Sequence, residues 1–240
     1  MGYRSVAYRK QLETRGQTDT LPLEAAVAKI KDMAAIKVDR KYKNGKKRKS
    51  QDQTVEITMH LGIDARQADQ MLRGAISLPK GLGRSRKVIA FCDPAMADEA
   101  RKAGAVDAGA DELVAKVQGG WFDFDVAVAH PSMMGKVGKL GRVLGPQGKM
   151  PSPKAGTVTP DDAKTVQEFA AGRLEFRNDD GGNVHLPVGK ASFSDEDLIT
   201  NINAVIDHFT KIKPSASKGQ YFKRICLSGT RTPSVTVATT

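Results

Sequence analysis

The sequence lacks the patterns that are typical of a metal site, a membrane span or a secretory signal. Its two cysteines, Cys92 and Cys226, are far apart and lack the paired spacing of zinc sites, and its four histidines are scattered. No run approaches the ~20 apolar residues that span a bilayer. A signal peptide requires an apolar run after its basic residues, and no such run follows the basic residues at the N-terminus. We therefore expect a cytoplasmic protein in a reducing compartment, with buried cysteines and no bound metal.

A complete nucleotide-binding motif is also missing. The segment "GRVLGPQGKMPSPKAGTV" (141–158) contains Gly148-Lys149, the end of a Walker-type loop. However, Val143 stands where the first glycine belongs, and Met150 replaces the hydroxyl residue that would contact magnesium. Pro146 and Pro151 also remove amide donors where a phosphate would need them. An ordered Gly/Pro connector is therefore the favoured interpretation.

Other catalytic patterns are incomplete as well. Arg86 occupies the third glycine position of a dinucleotide-binding fingerprint. Asp123 and Asp125 lie on one face of a predicted strand, but the sequence places no further acid or histidine beside them. We predict no enzyme and no cofactor. A nucleotide- or phosphosugar-using enzyme built on the central part of the chain is the alternative.

Basic residues are in excess and concentrated at the two ends of the chain. The formal net charge is +11, from 38 Lys+Arg and 27 Asp+Glu. Residues 1–50 hold 14 basic and 5 acidic residues, whereas residues 211–240 hold 6 basic and no acidic ones. This distribution indicates a polyanionic partner for a body that contains both termini.

Both ends combine helical and strand patterns, which is typical of an α+β domain. Apolar residues recur at helical spacing over residues 20–36, and Ser194 with Asp197 begins a second amphipathic helix. The stretch "TVEITMHL" (54–61) alternates strictly, with apolar residues on one face and Glu56, Thr58 and His60 on the other. It is predicted to be a half-buried strand.

The centre alternates short apolar strands with helices, which predicts a parallel sheet covered on both faces. Its last helix is predicted to begin with Thr159 as the cap. We therefore predict a basic α+β domain formed by residues 1–80 and 172–240, into which a Rossmann-like α/β domain of residues 81–171 is inserted. The inserted part has 12 basic and 11 acidic residues, against 26 and 16 in the rest. Residues 77–83 are predicted to be a hinge.

Polar strand faces of the end domain are candidates for RNA contact. Basic side chains suit phosphates, whereas amide and hydroxyl groups suit base edges and the ribose hydroxyl. An ordinary polar sheet face is the equal alternative at this point. The candidate residues are Glu56, Thr58 and His60, then Arg173, Glu175 and Arg177, then Asn183 and His185.

A second candidate is the basic low-complexity segment at residues 39–53. It would act as an accessory arm that binds any polyanion, and a solvated loop is the alternative. The candidate phosphate contacts in this segment are Lys41, Lys43, Lys46, Lys47, Arg48 and Lys49.

Several stretches together resemble the large-subunit ribosomal protein L-one family of bacterial type. The strongest is "MGKVGKLGRVLGPQGKMPSPKAGTV", and the others follow in consistent order over roughly residues 5–237: "LEAAVAKIK", "TVEITMHLGID", "RGAISLPKGLG", "GWFDFDVAVAHP", "GRLEFRND" and "LPVGKASF". The resemblance implies a two-domain protein in which the domain of the termini grips the ribosomal RNA of the mobile stalk. It also implies a monomer within the ribosome that assists release of deacylated transfer RNA at the exit site. In many members the protein represses its own messenger RNA.

The resemblance further implies which residues contact RNA. Lys37 matches the family, although Val38 stands where an aromatic residue is usual. Near the C-terminus, Arg231-Thr232 replaces the Met-Gly of the family pattern. The full set that the resemblance implies, including the two positions that depart from its pattern, is Lys37, Arg177, Asn178, Asp179, His185, Lys190, Thr230, Arg231, Thr232 and Ser234.

Deletion of residues 41–50 tests the accessory arm. We expect a weaker salt dependence of RNA binding, because each lost phosphate contact reduces the slope of log K against log salt by roughly 0.7–0.9. Fluorescence anisotropy titrations at several salt concentrations measure this slope. A variant with Gly/Ser residues of equal length in place of 41–50 controls for loop length. An unchanged slope in both variants would show that the segment is a solvated spacer.

Overall fold

The computed structural model describes residues 6–16, 20–36, 52–67, 69–215, 217 and 219–238. In these residues the chain is a mixed α/β protein, and no helix is long and apolar enough to cross a membrane. The helices are α1 (Val6–Arg15), α2 (Leu23–Ala35), α3 (Pro94–Lys102), α4 (Asp111–Gln118), α5 (Met134–Val137), α6 (Gly141–Leu144), α7 (Asp162–Ala170) and α8 (Asp195–Lys211). The strands are β1 (Thr54–Leu61), β2 (Arg73–Ile76), β3 (Val88–Phe91), β4 (Asp107–Gly109), β5 (Val126–Ala129), β6 (Leu174–Arg177), β7 (Asn183–Lys190), β8 (Phe222–Gly229) and β9 (Val235–Val237).

Contacts within the chain group it into two compact units. The first unit comprises residues 1–72, 78–83 and 177–240, and the second comprises residues 73–77 and 84–176. Residues 81–83, which the sequence division assigned to the inserted domain, belong to the first unit. Residues 73–77 and 172–176, which it assigned to the end domain, belong to the second unit. The reason is that β2 pairs with β6 in a separate two-stranded sheet.

The first unit is built on a four-stranded antiparallel sheet in the order β7-β1-β8-β9. Its central strand β1 shows the predicted alternation, with Val55, Ile57, Met59 and Leu61 all buried. Helices α2 and α8 contact these strands and each other, so they cover the apolar side of the sheet. Burial of a Val, Leu or Ile side chain contributes roughly 1.5–3 kcal/mol, so this layer is the main source of the unit's stability.

The long helix α8 begins and packs as predicted. Ser194 is its N-cap, and the backbone N–H of Asp197 donates to the Ser194 hydroxyl at 3.1 Å. The predicted apolar stripe of α8 is fully buried against the sheet and α2, and it consists of Leu198, Ile202, Val205 and Phe209.

A β-bulge in β7 changes which residues face outward. Val55 pairs with Gly189 and Glu56 pairs with Pro187, so Val188 is an extra residue between them. Both Val188 and Gly189 are buried, and the alternation of β7 therefore shifts by one residue. As a result Lys190 lies on the outer side of the sheet, beside the first residue of β1.

The second unit contains a three-stranded parallel sheet in the order β4-β3-β5. All four residues of β3 are buried, because separate hydrophobic clusters cover the two faces of the sheet. Ile89 and Phe91 pack in one cluster, and Val88 and Ala90 pack in the other. This is the double-sided burial that the apolar strands predicted. The predicted cap of α7 is wrong, since the helix begins at Asp162 with Asp161 at the N-cap.

The segment 141–158 is an ordered connector in this unit. The Lys149 ammonium donates to the backbone carbonyls of Phe122 at 3.0 Å and Phe124 at 2.6 Å. The same ammonium lies 4.8 Å from the centre of the Phe124 ring. Lys149 therefore fixes the segment to the residues just before β5, in agreement with the connector interpretation.

Residues 78–83, inside the predicted hinge, are fastened to the first unit by a fully buried asparagine. The Asn201 side-chain oxygen accepts from the backbone N–H of Lys80 at 3.0 Å. Its Nδ2 donates to the carbonyls of Gly81 at 3.1 Å and Val188 at 2.8 Å. The Lys80 ammonium also pairs with Asp197 at 3.1 Å. A buried polar network therefore holds the backbone of residues 78–83 within the first unit. The hinge itself stays a prediction.

Replacement of Asn201 by alanine tests this fastening. Three backbone groups would lose their partner, so we expect Asn201→Ala to lower the free energy of unfolding by roughly 2–4 kcal/mol. The Lys80 amide should also exchange its hydrogen faster, which NMR hydrogen exchange measures. Asn203→Ala, at an exposed position of the same helix, is the control. Equal effects of the two substitutions would contradict the proposed role of Asn201.

Candidate nucleic-acid interface

The outer face of the four-stranded sheet is polar from β7 to β9. The cross-strand register sets its side chains in rows. One row holds His185, Thr58, Cys226 and Thr236, the next holds Asn183, His60 and Arg224, and the third holds Pro187, Glu56 and Ser228. The structure thus brings Glu56, Thr58, His60 and His185 onto one surface, as the alternation predicted.

One end of this face is organised by the turn between β6 and β7. Asp179 accepts hydrogen bonds from Asn183, whose side-chain oxygen lies 2.8 Å from His60 Nδ1. His185 contacts the Thr58 hydroxyl through Nδ1 at 3.2 Å, and its Nε2 lies 3.9 Å from Asp179. The side-chain hydrogen bond from Asn183 is the main reason that the pKa of Asp179 lies below its ordinary value. Asp179 is therefore a fixed negative charge that orients its neighbours.

The opposite end of the face carries two of the predicted cationic residues, Lys190 and Arg231. The Lys190 ammonium donates to the Thr54 hydroxyl at 2.8 Å. The backbone N–H of Thr54 donates to the Thr230 hydroxyl at 3.1 Å, and the Arg231 N–H donates to Gln53 at 3.1 Å. Thr54 and His60 are six residues apart on one strand, so the two ends of the face are separated by about 20 Å.

The turn that follows β8 contains Arg231 and Thr232, the two residues that depart from the pattern of the family that the sequence resembles. The Thr232 hydroxyl accepts from the Gly229 N–H at 2.7 Å, and the Thr232 N–H donates to the Gly229 carbonyl at 3.1 Å. Every described residue with a positive φ is a glycine, so Thr232 occupies its position without backbone strain. Thr232 is nearly buried, whereas Thr230, Arg231 and Ser234 are exposed.

Two further predicted residues lie at the end of β6. Asn178 is buried, and its side-chain oxygen accepts from the Leu72 N–H at 2.8 Å. Its Nδ2 donates to the Asp179 carbonyl at 3.0 Å, so the amide is used inside the protein. Arg177 is exposed at the end of the strand. By contrast, Arg73 pairs with Glu175 at 3.0 Å, and Arg173 pairs with Glu168.

The remaining predicted residues lie outside the described part of the chain. They are Lys37, Lys41, Lys43, Lys46, Lys47, Arg48 and Lys49. The described residues that flank this stretch are close together, because the Gln53 side chain donates to the Ala34 carbonyl at 3.3 Å. The same Gln53 accepts from the Arg231 N–H. Both flanks therefore lie at the Thr230 end of the sheet.

Sequence reasoning missed the contribution of β8 and β9 to this face. The residues concerned are Arg224, Cys226, Ser228 and Thr236. Cys226 is only half-buried, so the expectation that both cysteines are buried is wrong for this one. The signal was present, because polar residues alternate with Ile225 and Leu227 in "FKRICLSG". Arg224 is exposed, and its guanidinium lies 3.4 Å from the Thr236 hydroxyl. It adds a positive charge to the middle of the sheet's width.

The second unit has no comparable group of polar side chains at the carboxyl end of its parallel sheet. His130 and Asp93 both contact the Ser132 hydroxyl, at 2.7 and 3.5 Å. Within the described ranges, no cluster of His, Cys, Asp or Glu side chains could hold a metal ion. Asp123 is paired with Lys87 at 2.7 Å and Asp125 lies 3.7 Å from Arg84, so these acids stabilise the entry to β5.

Comparison with known proteins places the whole chain among ribosomal proteins. A family model described as "Ribosomal protein L1p/L10e family" matches residues 40–233. The large ribosomal subunit protein uL1 of a Nocardioides species is 50% identical over 205 residues, covering 85% of this chain and 84% of the relative. The protein of the same name in Thermobifida fusca is 44% identical over 234 residues, covering 98% and 94%. That of Salinispora arenicola is 50% identical over 186 residues, covering 78% of each chain.

The buried Asp162 in the second unit predicts a pH-dependent stability. Burial raises the pKa of this carboxyl from 3.8 to about 6, and neither of its oxygens has a hydrogen-bond partner among the described residues. An acid with a raised pKa in the folded state destabilises the fold wherever it must ionise. Asp162→Asn should therefore increase the free energy of unfolding by roughly 2–3 kcal/mol above pH 6.5, and this gain should disappear between pH 6 and 4.

Urea unfolding followed by the fluorescence of Trp121, the one tryptophan of the chain, measures this effect within the second unit. Asp161→Asn removes a carboxylate from the exposed neighbouring position and serves as the control. A gain for Asp162→Asn that does not depend on pH would contradict the ionisation argument.

Proposed function

The chain belongs to the ribosomal protein L1p/L10e family, and from this premise we propose that it is a noncatalytic, RNA-binding component of the large ribosomal subunit. Membership confirms the resemblance that the sequence motifs indicated. The relatives carry the name of a ribosomal subunit protein, which supports a structural role in the cytoplasmic ribosome and gives the enzyme alternative no support.

The observation that carries the proposal is the polar outer face of the four-stranded sheet. This face belongs to the first unit, which contains both basic ends of the sequence. Its alternating strands place the apolar side chains against α2 and α8 and leave hydroxyl, amide, imidazole and guanidinium groups on the other side. Such a surface combines cations for phosphates with groups that hydrogen-bond bases and ribose.

The residues of the face divide into two kinds. The cationic residues are suited to phosphates, because guanidinium groups carry a delocalised charge and a lysine ammonium lies on a flexible stem. They are Arg177, Lys190, Arg224 and Arg231. Thr58, His60, His185, Thr230 and Ser234 are suited to the ribose and to base edges. Glu56 can accept a hydrogen bond from a base amino group. Asn178, Asp179 and Thr232 support this surface through the turns that hold it, because their polar groups are used within the protein.

The RNA that we propose as the principal partner is that of the mobile ribosomal stalk near the exit site. In this proposal the first unit, residues 1–72, 78–83 and 177–240, is the RNA-binding α+β domain, and the second unit is the inserted Rossmann-like domain. Lys37 and the basic residues from Lys41 to Lys49 add further contacts to RNA phosphates in this proposal. Assistance in release of deacylated transfer RNA and repression of the chain's own messenger RNA are further parts of the proposal.

Substitutions of single arginines on the face test the proposal. Arg224→Gln and Arg231→Gln should each weaken binding to a stalk RNA transcript, and each should reduce the salt slope by about 1, because one phosphate contact is lost. Anisotropy titrations at several salt concentrations measure both effects. Lys102→Gln removes an equal charge from an exposed position in the second unit and should have little effect. Loss of affinity with Lys102→Gln alone would place the RNA-binding surface elsewhere.

A further inference from the structure

The carboxylate of Asp179 fixes a chain of hydrogen bonds on the outer face. Its Oδ1 accepts from the backbone N–H groups of Gly181 at 3.0 Å and Asn183 at 2.6 Å. Its Oδ2 accepts from the Asn183 side-chain Nδ2 at 3.0 Å. An ionised carboxylate can only accept hydrogen bonds. The amide of Asn183 is therefore oriented with its nitrogen toward Asp179 and its oxygen away from it.

This orientation determines which nitrogen of His60 carries the proton. The Asn183 oxygen lies 2.8 Å from His60 Nδ1, and an amide oxygen can only accept. His60 Nδ1 must therefore be the donor. A neutral imidazole has one N–H group, so the lone pair of the neutral ring is at Nε2. Asp179 and Asn183 together make His60 Nε2 a hydrogen-bond acceptor.

His60 Nε2 is available for a ligand. Within the described part of the chain no group hydrogen-bonds this atom, and the atom is not buried. The ring lies on the outer face between Asn183 on β7 and Arg224 on β8. A phosphate that approached Arg224 would bring the sugar attached to it next to His60.

We propose that Asn183 is a positioning residue that holds His60 so that Nε2 accepts a hydrogen bond from a ribose 2′-hydroxyl, and that this contact favours RNA over DNA. The inference rests on the proposed RNA-binding function and assigns a specificity-determining residue to that surface. The 2′-hydroxyl is the sugar donor that DNA lacks. A protonated or Nε2–H imidazole could not accept this hydrogen bond, so the orientation of Asn183 is required.

Two measurements on the full chain test the proposal. The ¹⁵N chemical shifts of the His60 imidazole should show protonation at Nδ1 in the wild type at neutral pH, and a shift toward the Nε2–H form in Asn183→Ala. Anisotropy titrations should use a stalk RNA transcript and a series of transcripts that each carry one 2′-fluoro substitution. Fluorine removes the donor and keeps an RNA-like sugar. One position should weaken wild-type binding roughly threefold to tenfold, as expected for one hydrogen bond.

The variants separate positioning from general damage. The 2′-fluoro penalty at that position should vanish in His60→Phe and in Asn183→Ala. Asp179→Asn should reduce the penalty, whereas Asp180→Asn, at an exposed position in the same turn, should not. A wild-type Nε2–H tautomer, or a penalty that persists in His60→Phe, would overturn the inference. If the wild type instead failed to prefer stalk RNA over an unrelated hairpin, the proposed function itself would be wrong.

Discussion

The packing of α2 and α8 against a single face of the four-stranded sheet is the constraint on which the candidate interface depends. An antiparallel sheet whose alternate residues are apolar needs one covered face, and its other face can remain in water. In the described residues the uncovered face carries hydroxyl, imidazole, amide and guanidinium groups from all four strands. The parallel sheet of the second unit has clusters on both faces, so its strands have no polar face to offer.

Backbone irregularities then set the details of the interface. The bulge at Val188 reverses the alternation of β7 and brings Lys190 to the outer side, next to Thr54. The turn after β8 is closed by the Thr232 hydroxyl, which leaves Arg231 exposed beside it. At the other end of the sheet, the turn before β7 is held by Asp179. In each case a residue that is buried or hydrogen-bonded within the protein positions a neighbouring side chain on the surface.

Much of the fold and part of the candidate interface could be predicted from local patterns. The alternation of β1 correctly gave its buried and exposed faces, and the capping residues of α8 correctly gave its start. The start of α7 was wrong because Thr159 hydrogen-bonds Thr165 instead of serving as the cap residue. The internal use of Asn178 depends on Leu72, more than a hundred residues earlier in the chain, so no local pattern could reveal it. The exposed row of β8 was overlooked although its alternation was visible.

The sequence by itself determined which of the analysed segments form helices and which form strands. It also determined the excess of positive charge at both ends and the family to which the chain belongs. These are local or additive properties, since strand alternation follows from the two-residue repeat of the backbone and charge is a sum over residues. Only the tertiary structure decided that β1 lies between β7 and β8, and that Asn201 fastens residues 78–83. It also decided that Asn183 fixes the proton of His60. These features join residues far apart in the chain, because hydrogen-bond partners are chosen only when the folded backbone brings them within about 3 Å.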